Sequence, residues 1–160
     1  MGRPWERTFL GFRVTRRDLR RCISPEAVKR RTERVREITR RTRGRRIERV
    51  AQELRRYLLG WKAYVGYAEV RSIFKEWDSW MQRRLRCYLW KQWGRRGYKE
   101  LRRRGVNRDL AWNTAKSAHG PGRLSRSPAL AIALPGSHFD GLGVPRLYIK
   151  GSSQPNRRGT

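Results

Sequence analysis

Ile47, Val50, Ala51, Leu54, Leu58 and Trp61 recur at i, i+3, i+4, i+7, i+11 and i+14, a spacing that aligns them on one face of an α-helix and on no face of a strand. A chain with such a stripe must bury it against elements of the same period, and the sequence supplies them. Ser24-Pro25-Glu26 reads as a helix start: Ser as N-cap, Pro pre-set for the first turn, Glu favourable at the positive helix end. Val28, Val35 and Ile38 follow at helical spacing with Thr32, Thr39 and Thr42, and Gly44 is a stop signal. A third helix, about Val70 to Trp93, turns Ile73, Trp77, Trp80, Met81, Leu85, Tyr88 and Leu89 toward a core. Short basic helices are predicted at Tyr98 to Arg104 and, capped by Asn107, at Arg108 to Ala118. Gly60, inside the second stripe, reads as a site of close backbone approach.

At the N-terminus, Thr8 to Val14 is aromatic and β-branched and reads as a strand, with at most one hairpin mate before Ile23. Its abrupt start suggests that something upstream is missing. From Gly120, Pro, Gly and Ser punctuate the chain around one helical turn at Ser127 to Leu134. The expected fold is mostly α: a basic helical bundle with a short N-terminal β-strand or hairpin and an irregular C-terminal extension.

What surrounds the stripes is cationic. Lys and Arg number 41 against 13 Asp and Glu in 160 residues, a formal net charge of +28. A field of that size draws in polyanions, nucleic acids first, and opposes the compact state unless something neutralises it. Seven Trp, six Tyr and four Phe set the chain apart from a disordered basic tail. Cys22 and Cys87 form no Cys-x-x-Cys pair, and with His119 and His138 they give no metal-ligand spacing. Met1 to Leu19 lacks the apolar stretch of a signal peptide, and Ala129 to Leu134, the longest apolar run, is too short to cross a bilayer. The expectation is a soluble cytoplasmic protein with no membrane association and no cofactor.

Catalysis of phosphoryl chemistry by two metal ions requires converging carboxylates. Glu33, Glu37, Glu48 and Glu53 sit among arginines on helix surfaces, where ion pairs account for them. Tyr67-Ala68-Glu69-Val70 superficially matches a polymerase Tyr-Ala-Asp-Asp but carries one acid only. No catalytic or metal-binding residue is assigned, and the chain by itself is not expected to be an enzyme.

Tyr57-Leu58-Leu59-Gly60-Trp61-Lys62-Ala63-Tyr64, then Phe74-Lys75-Glu76-Trp77-Asp78-Ser79-Trp80, Arg83-Arg84-Leu85-Arg86 and Trp90-Lys91-Gln92-Trp93 resemble, in order, the maturase-specific region of group II intron reverse transcriptases. Phe9-Leu10-Gly11-Phe12 is similar to the strand closing the palm of that family, and Leu124 to Leu130 with Ala133-Leu134-Pro135 and Leu142-Gly143 to the C-terminal end of its short bacterial members. The resemblance implies a thumb, or domain X, gripping intron RNA and template–primer duplex. It implies residues 1–23 as the end of a palm-like strand or hairpin and 24–119 as the helical thumb; the punctuation of 120–150 reads as an irregular extension, and 151–160, without an apolar residue, as a flexible tail. Phe9, Gly11, Phe12, Gly60, Trp61, Tyr64, Trp77, Asp78, Trp80 and Leu85 are then its structural motif residues. The palm's paired aspartates and the Cys-rich endonuclease region are absent, so neither polymerisation nor DNA cleavage carries over.

For Arg30, Arg31, Arg34, Arg40, Arg41, Arg45, Arg46, Arg83, Arg84, Arg86 and Lys91, density favours phosphate contact over a merely solvated face, because like charges at i, i+3 and i+4 repel until a polyanion relieves them. Trp61, Tyr64, Trp77 and Trp80 lie on apolar stripes and belong to the core. Trp90 and Trp93, beside Lys91, Arg95 and Arg96, stand equally for core and for base stacking. The leading expectation is an RNA-binding maturase domain that stabilises intron RNA for splicing, its partner group II intron RNA or an RNA/DNA duplex. The alternatives are a detached thumb that needs a separate finger–palm reverse transcriptase chain, and a non-specific basic scaffold.

Overall fold

A computed structural model describes residues 2–150; the tail expected at 151–160 lies outside the described residues. The first regular element is a hairpin, β1 (Phe12–Val14) antiparallel to β2 (Arg21–Ile23), with Phe12 opposite Ile23 and Val14 opposite Arg21. The strand is shorter than Thr8 to Val14 because the chain turns first. Leu10 (φ 49°) and Gly11 (φ 79°) both take positive φ, as a tight I′-like turn demands, and Phe9 and Phe12 exchange backbone hydrogen bonds of 2.9 Å across it. Phe9 is therefore 77% exposed at the turn rather than packed with the other motif residues.

Three long helices follow. In α1 (Pro25–Ile38) the Ser24 hydroxyl accepts from the Ala27 N–H, as the Ser-Pro-Glu signal requires. The helix stops at Ile38, before Gly44, and at its C-cap the Thr39 hydroxyl donates to the Val35 carbonyl at 2.6 Å. Gly44, at φ 63°, turns the following loop instead. α2 (Ile47–Val65) buries every member of its stripe, each at most 8% exposed. It runs straight through Gly60, which is exposed and has no neighbour within 4 Å of where a Cβ would stand, so the close backbone approach expected there does not occur. α3 (Ser72–Trp93) buries Phe74, Trp77, Met81, Leu85, Tyr88, Leu89 and Trp93, with Ile73 and Trp80 partly covered.

The core centre is aromatic. Trp61 lies 4.8 Å from Trp77 and 6.3 Å, edge to face, from Phe74, and Trp77 lies 5.5 Å from Trp80, contacts each worth about 0.5–1.5 kcal/mol beyond burial. The hairpin docks on the end of α2. Phe12 stacks on Tyr64 at 4.4 Å, the Tyr64 hydroxyl donates to the Leu10 carbonyl at 2.9 Å, and a Cβ at Gly11 would stand 2.3 Å from that hydroxyl.

Beyond α3 come α4 (Gly97–Arg103) and α5 (Arg108–Lys116), the latter capped by the Asn107 side chain accepting from the Leu110 N–H. Residues 120–150 are more ordered than the sequence reading: α6 (Pro121–Leu124), α7 (Pro128–Ala133) and α8 (Gly136–Gly141) form there, with Leu124, Leu130 and Phe139 buried on them and Leu134, Val144 and Leu147 buried in the segments between and after them. α7 is the helical turn read at Ser127 to Leu134; α6 and α8 are too short for a 3.6-residue period to show, and Pro121, which looks like loop punctuation, begins α6. α6 packs on α3, and α7 on α4 and α5. Asp78 fastens the extension: its carboxylate, 9% exposed, accepts from the Leu147 N–H at 3.0 Å and the Tyr148 N–H at 2.9 Å. No helix among the described residues is long and apolar enough to cross a membrane.

Candidate nucleic-acid interface

Along one flank of its core stripe, α3 presents Trp80, Arg83, Arg84 and Cys87, again at i, i+3, i+4 and i+7. This face forms one wall of a groove of about 520 Å³, completed by Thr39, Arg40, Arg41 and Thr42 after α1 and by Gly122, Ser125 and Arg126 at α6. Five arginines and no carboxylate line it.

The groove is preorganised. The buried Thr39 hydroxyl, anchored on Val35, accepts from Arg84 Nε at 2.7 Å and so fixes the guanidinium. Arg84 lies 5.5 Å and Arg36 5.9 Å from the Trp80 ring, and Arg41 approaches the Cys87 sulfur at 3.7 Å. Burial, with repulsion from Arg36 and Arg41, pulls the Arg84 pKa below the ordinary guanidinium value. The group stays charged, and an anion in the groove would relieve this tension.

Four of the residues marked for phosphate contact, Arg40, Arg41, Arg83 and Arg84, meet in this groove. The others disperse. Arg45 and Arg46 border a second concavity with Glu48, Arg49, Gln52, Glu53 and Arg56 along α2, and Arg45 is paired there with Glu53. Arg31 is spread over Trp61 and Tyr64 at 4.4 and 4.5 Å, and Arg86 Nε donates to the Leu134 carbonyl at 2.9 Å, so each holds the fold together. Arg34 pairs with Glu37 at 2.7 Å, while Arg30 and Lys91 are exposed on α1 and α3. Trp93 is buried with the Arg104 guanidinium 5.2 Å from its ring, and Trp90 lies across Gly97, where a Cβ would stand 2.8 Å from the indole. The equal choice for Trp93 thus falls to the core, because α4 folds back onto the end of α3.

Sequence reasoning did not mark Arg126, which follows Arg123 in a stretch punctuated by Gly, Ser and Pro, for phosphate contact. It also missed Arg49 and Arg56, whose positions on the outer face of α2 were legible from the period. Among the described residues no group of three or more His, Cys, Asp or Glu is placed to hold a metal ion.

No curated protein matches the chain. A family model does, over residues 28–106, from the second turn of α1 to the turn after α4, and the elements it covers carry both the aromatic core and two walls of the groove. The chain carries a group II intron, maturase-specific domain.

Proposed function

We propose that the chain works as a maturase module, binding folded group II intron RNA and stabilising it for splicing, with the RNA supplying the chemistry. One observation carries this reading: the acid-free groove that gathers Arg40, Arg41, Arg83, Arg84 and Arg126 from three separate segments. Its eleven lining residues include five arginines and no acid, so nothing inside the groove opposes an incoming phosphate. A groove of this kind takes phosphates, which position the protein without reading sequence. Selectivity for intron RNA then rests on the shape of the backbone that enters, a sharp turn or a junction where several phosphates converge. The residues proposed to touch RNA are the five groove arginines, with Arg46, Arg49 and Arg56 on the neighbouring face of α2 as a second contact. No residue of the chain is assigned a catalytic role.

The test is a salt series of binding to group II intron RNA against an unrelated structured RNA of equal length. If these eight arginines each neutralise one phosphate, log K falls with log[salt] at a slope of about −5.6 to −7.2, roughly a 2,000- to 20,000-fold loss between about 50 and 200 mM. The double variant Arg83→Gln/Arg126→Gln should flatten the slope by about 1.4–1.8. A salt-independent affinity, or a double variant that binds as the parent does, sinks the reading. Equal affinity for the two RNAs at every salt concentration would reduce the module to non-specific basic binding.

A further inference from the structure

Six of the seven tryptophans are buried or half-covered; Trp112, on α5, is 49% exposed. It lies outside the residues matched by the maturase family model and does not line the arginine groove. α5 turns Ala111 and Thr114 inward and Arg108, Trp112 and Lys116 outward, successive steps of four residues and so about 6 Å of helix rise. The ring is held upright by an edge-to-face contact with Tyr98 of α4 at 5.7 Å between centroids. The Lys116 ammonium rests 4.3 Å from the centroid of Trp112. Asp109, in the first turn, is the one carboxylate of this helix.

We infer that Trp112, flanked by Arg108 and Lys116, is a stacking platform for an unpaired base of single-stranded nucleic acid, a second binding site separate from the arginine groove. An indole left half in water forgoes burial that every other tryptophan of the chain obtains, at least in part. A π-face bracketed by cations at a spacing that a strand with unstacked bases can follow is the arrangement that binds single strands without reading their sequence. The Lys116 ammonium holds the place of the base: its flexible stem swings aside as a base settles on the indole, and its charge passes to the adjoining phosphate. The charge of the chain argues against an apolar protein partner at this spot, because docking there would desolvate Arg108 and Lys116 without neutralising them.

The experiment measures binding of the full chain to a short oligouridine, to an oligothymidine of equal length, and to the abasic counterpart, which keeps the phosphates and lacks the bases. Trp112→Ala should weaken oligouridine and oligothymidine alike by about 5- to 150-fold, the range of one base–aromatic stack, and leave the abasic strand unchanged. Trp112→Phe should retain most of the affinity, and Lys116→Gln should weaken all three probes. An unchanged thermal melt for Trp112→Ala shows that the fold is intact. Parent-like binding of oligouridine by Trp112→Ala, or an equal loss on the base-bearing and abasic strands, overturns the inference. The groove variant Arg83→Gln/Arg126→Gln, run on structured intron RNA, fails or succeeds independently of these results.

Discussion

Asp78 spends a buried carboxylate on two backbone N–H groups of the C-terminal segment. Burial pushes its pKa above the usual carboxylate range, against the pull of the Leu147 and Tyr148 N–H groups and of Arg146. Asp78→Ala leaves both donors orphaned, at about 1–3 kcal/mol each. Denaturant midpoints should fall accordingly, and the Leu147 and Tyr148 amides should lose hydrogen-exchange protection first; unchanged protection would show that the segment is held by its apolar contacts alone. Thr39 is a positioning residue of the same kind. Thr39→Val removes the acceptor of Arg84 Nε and the Val35 back-bond, destabilising by about 1–3 kcal/mol, and Thr39→Ser restores both. If Arg84 belongs to the RNA site, Thr39→Val also weakens RNA binding in assays well below its melting temperature. The role of Asp78 was not legible in the sequence, where it is one acid between two tryptophans, because its partners lie 69 and 70 residues away.

At the scale of elements, α2 shows what a periodic stripe can and cannot tell. The stripe predicted the buried face without error, because burial follows from which side of the cylinder a residue occupies. It misread Gly60, since whether a neighbour approaches a glycine depends on helix packing rather than on the helix itself. Gly60 faces open space, so Gly60→Ala should stabilise by about 0.5–1 kcal/mol by removing backbone freedom from the unfolded chain. Gly97→Ala should do the reverse, because the Trp90 indole occupies the place of its Cβ. Thermal melts of the two variants, moving in opposite directions, check both statements. Caps were legible where a side chain makes them, at Ser24 and Asn107. In 120–150 the turn at Ser127 to Leu134 was legible and is α7, whereas α6, which packs on α3, left no local pattern.

The whole molecule is governed by its charge imbalance and by the few acids that offset it. Glu53 ties Arg43 and Arg45 of the α1–α2 loop to α2; burial raises its pKa, but the two arginines win and hold it below the ordinary glutamate value. Glu100, bonded to Arg103 and beside Arg104, is lowered in the same direction. A depressed folded pKa contributes stability that is present above the unfolded value of ~4.3 and lost as pH falls through the folded value. Acidification from about pH 5 should therefore destabilise the chain through these two groups, by about 1 kcal/mol or less for each partly exposed pair. Glu53→Gln should remove its share of that acid limb in a stability–pH profile, and an unchanged limb would show that the loop is held by other contacts. By itself the sequence determined the helical class, the inward face of α2 and most of that of α1 and α3, the cationic exterior and, through an ordered set of aromatic motifs, the family, because each of these is fixed by residue type at short spacing. Only the tertiary structure decided which arginines meet: Arg31 and Arg86 were taken for packing, while Arg126 joined Arg40, Arg41, Arg83 and Arg84 in one groove. Convergence of that kind depends on how three segments cross, and no local period encodes it.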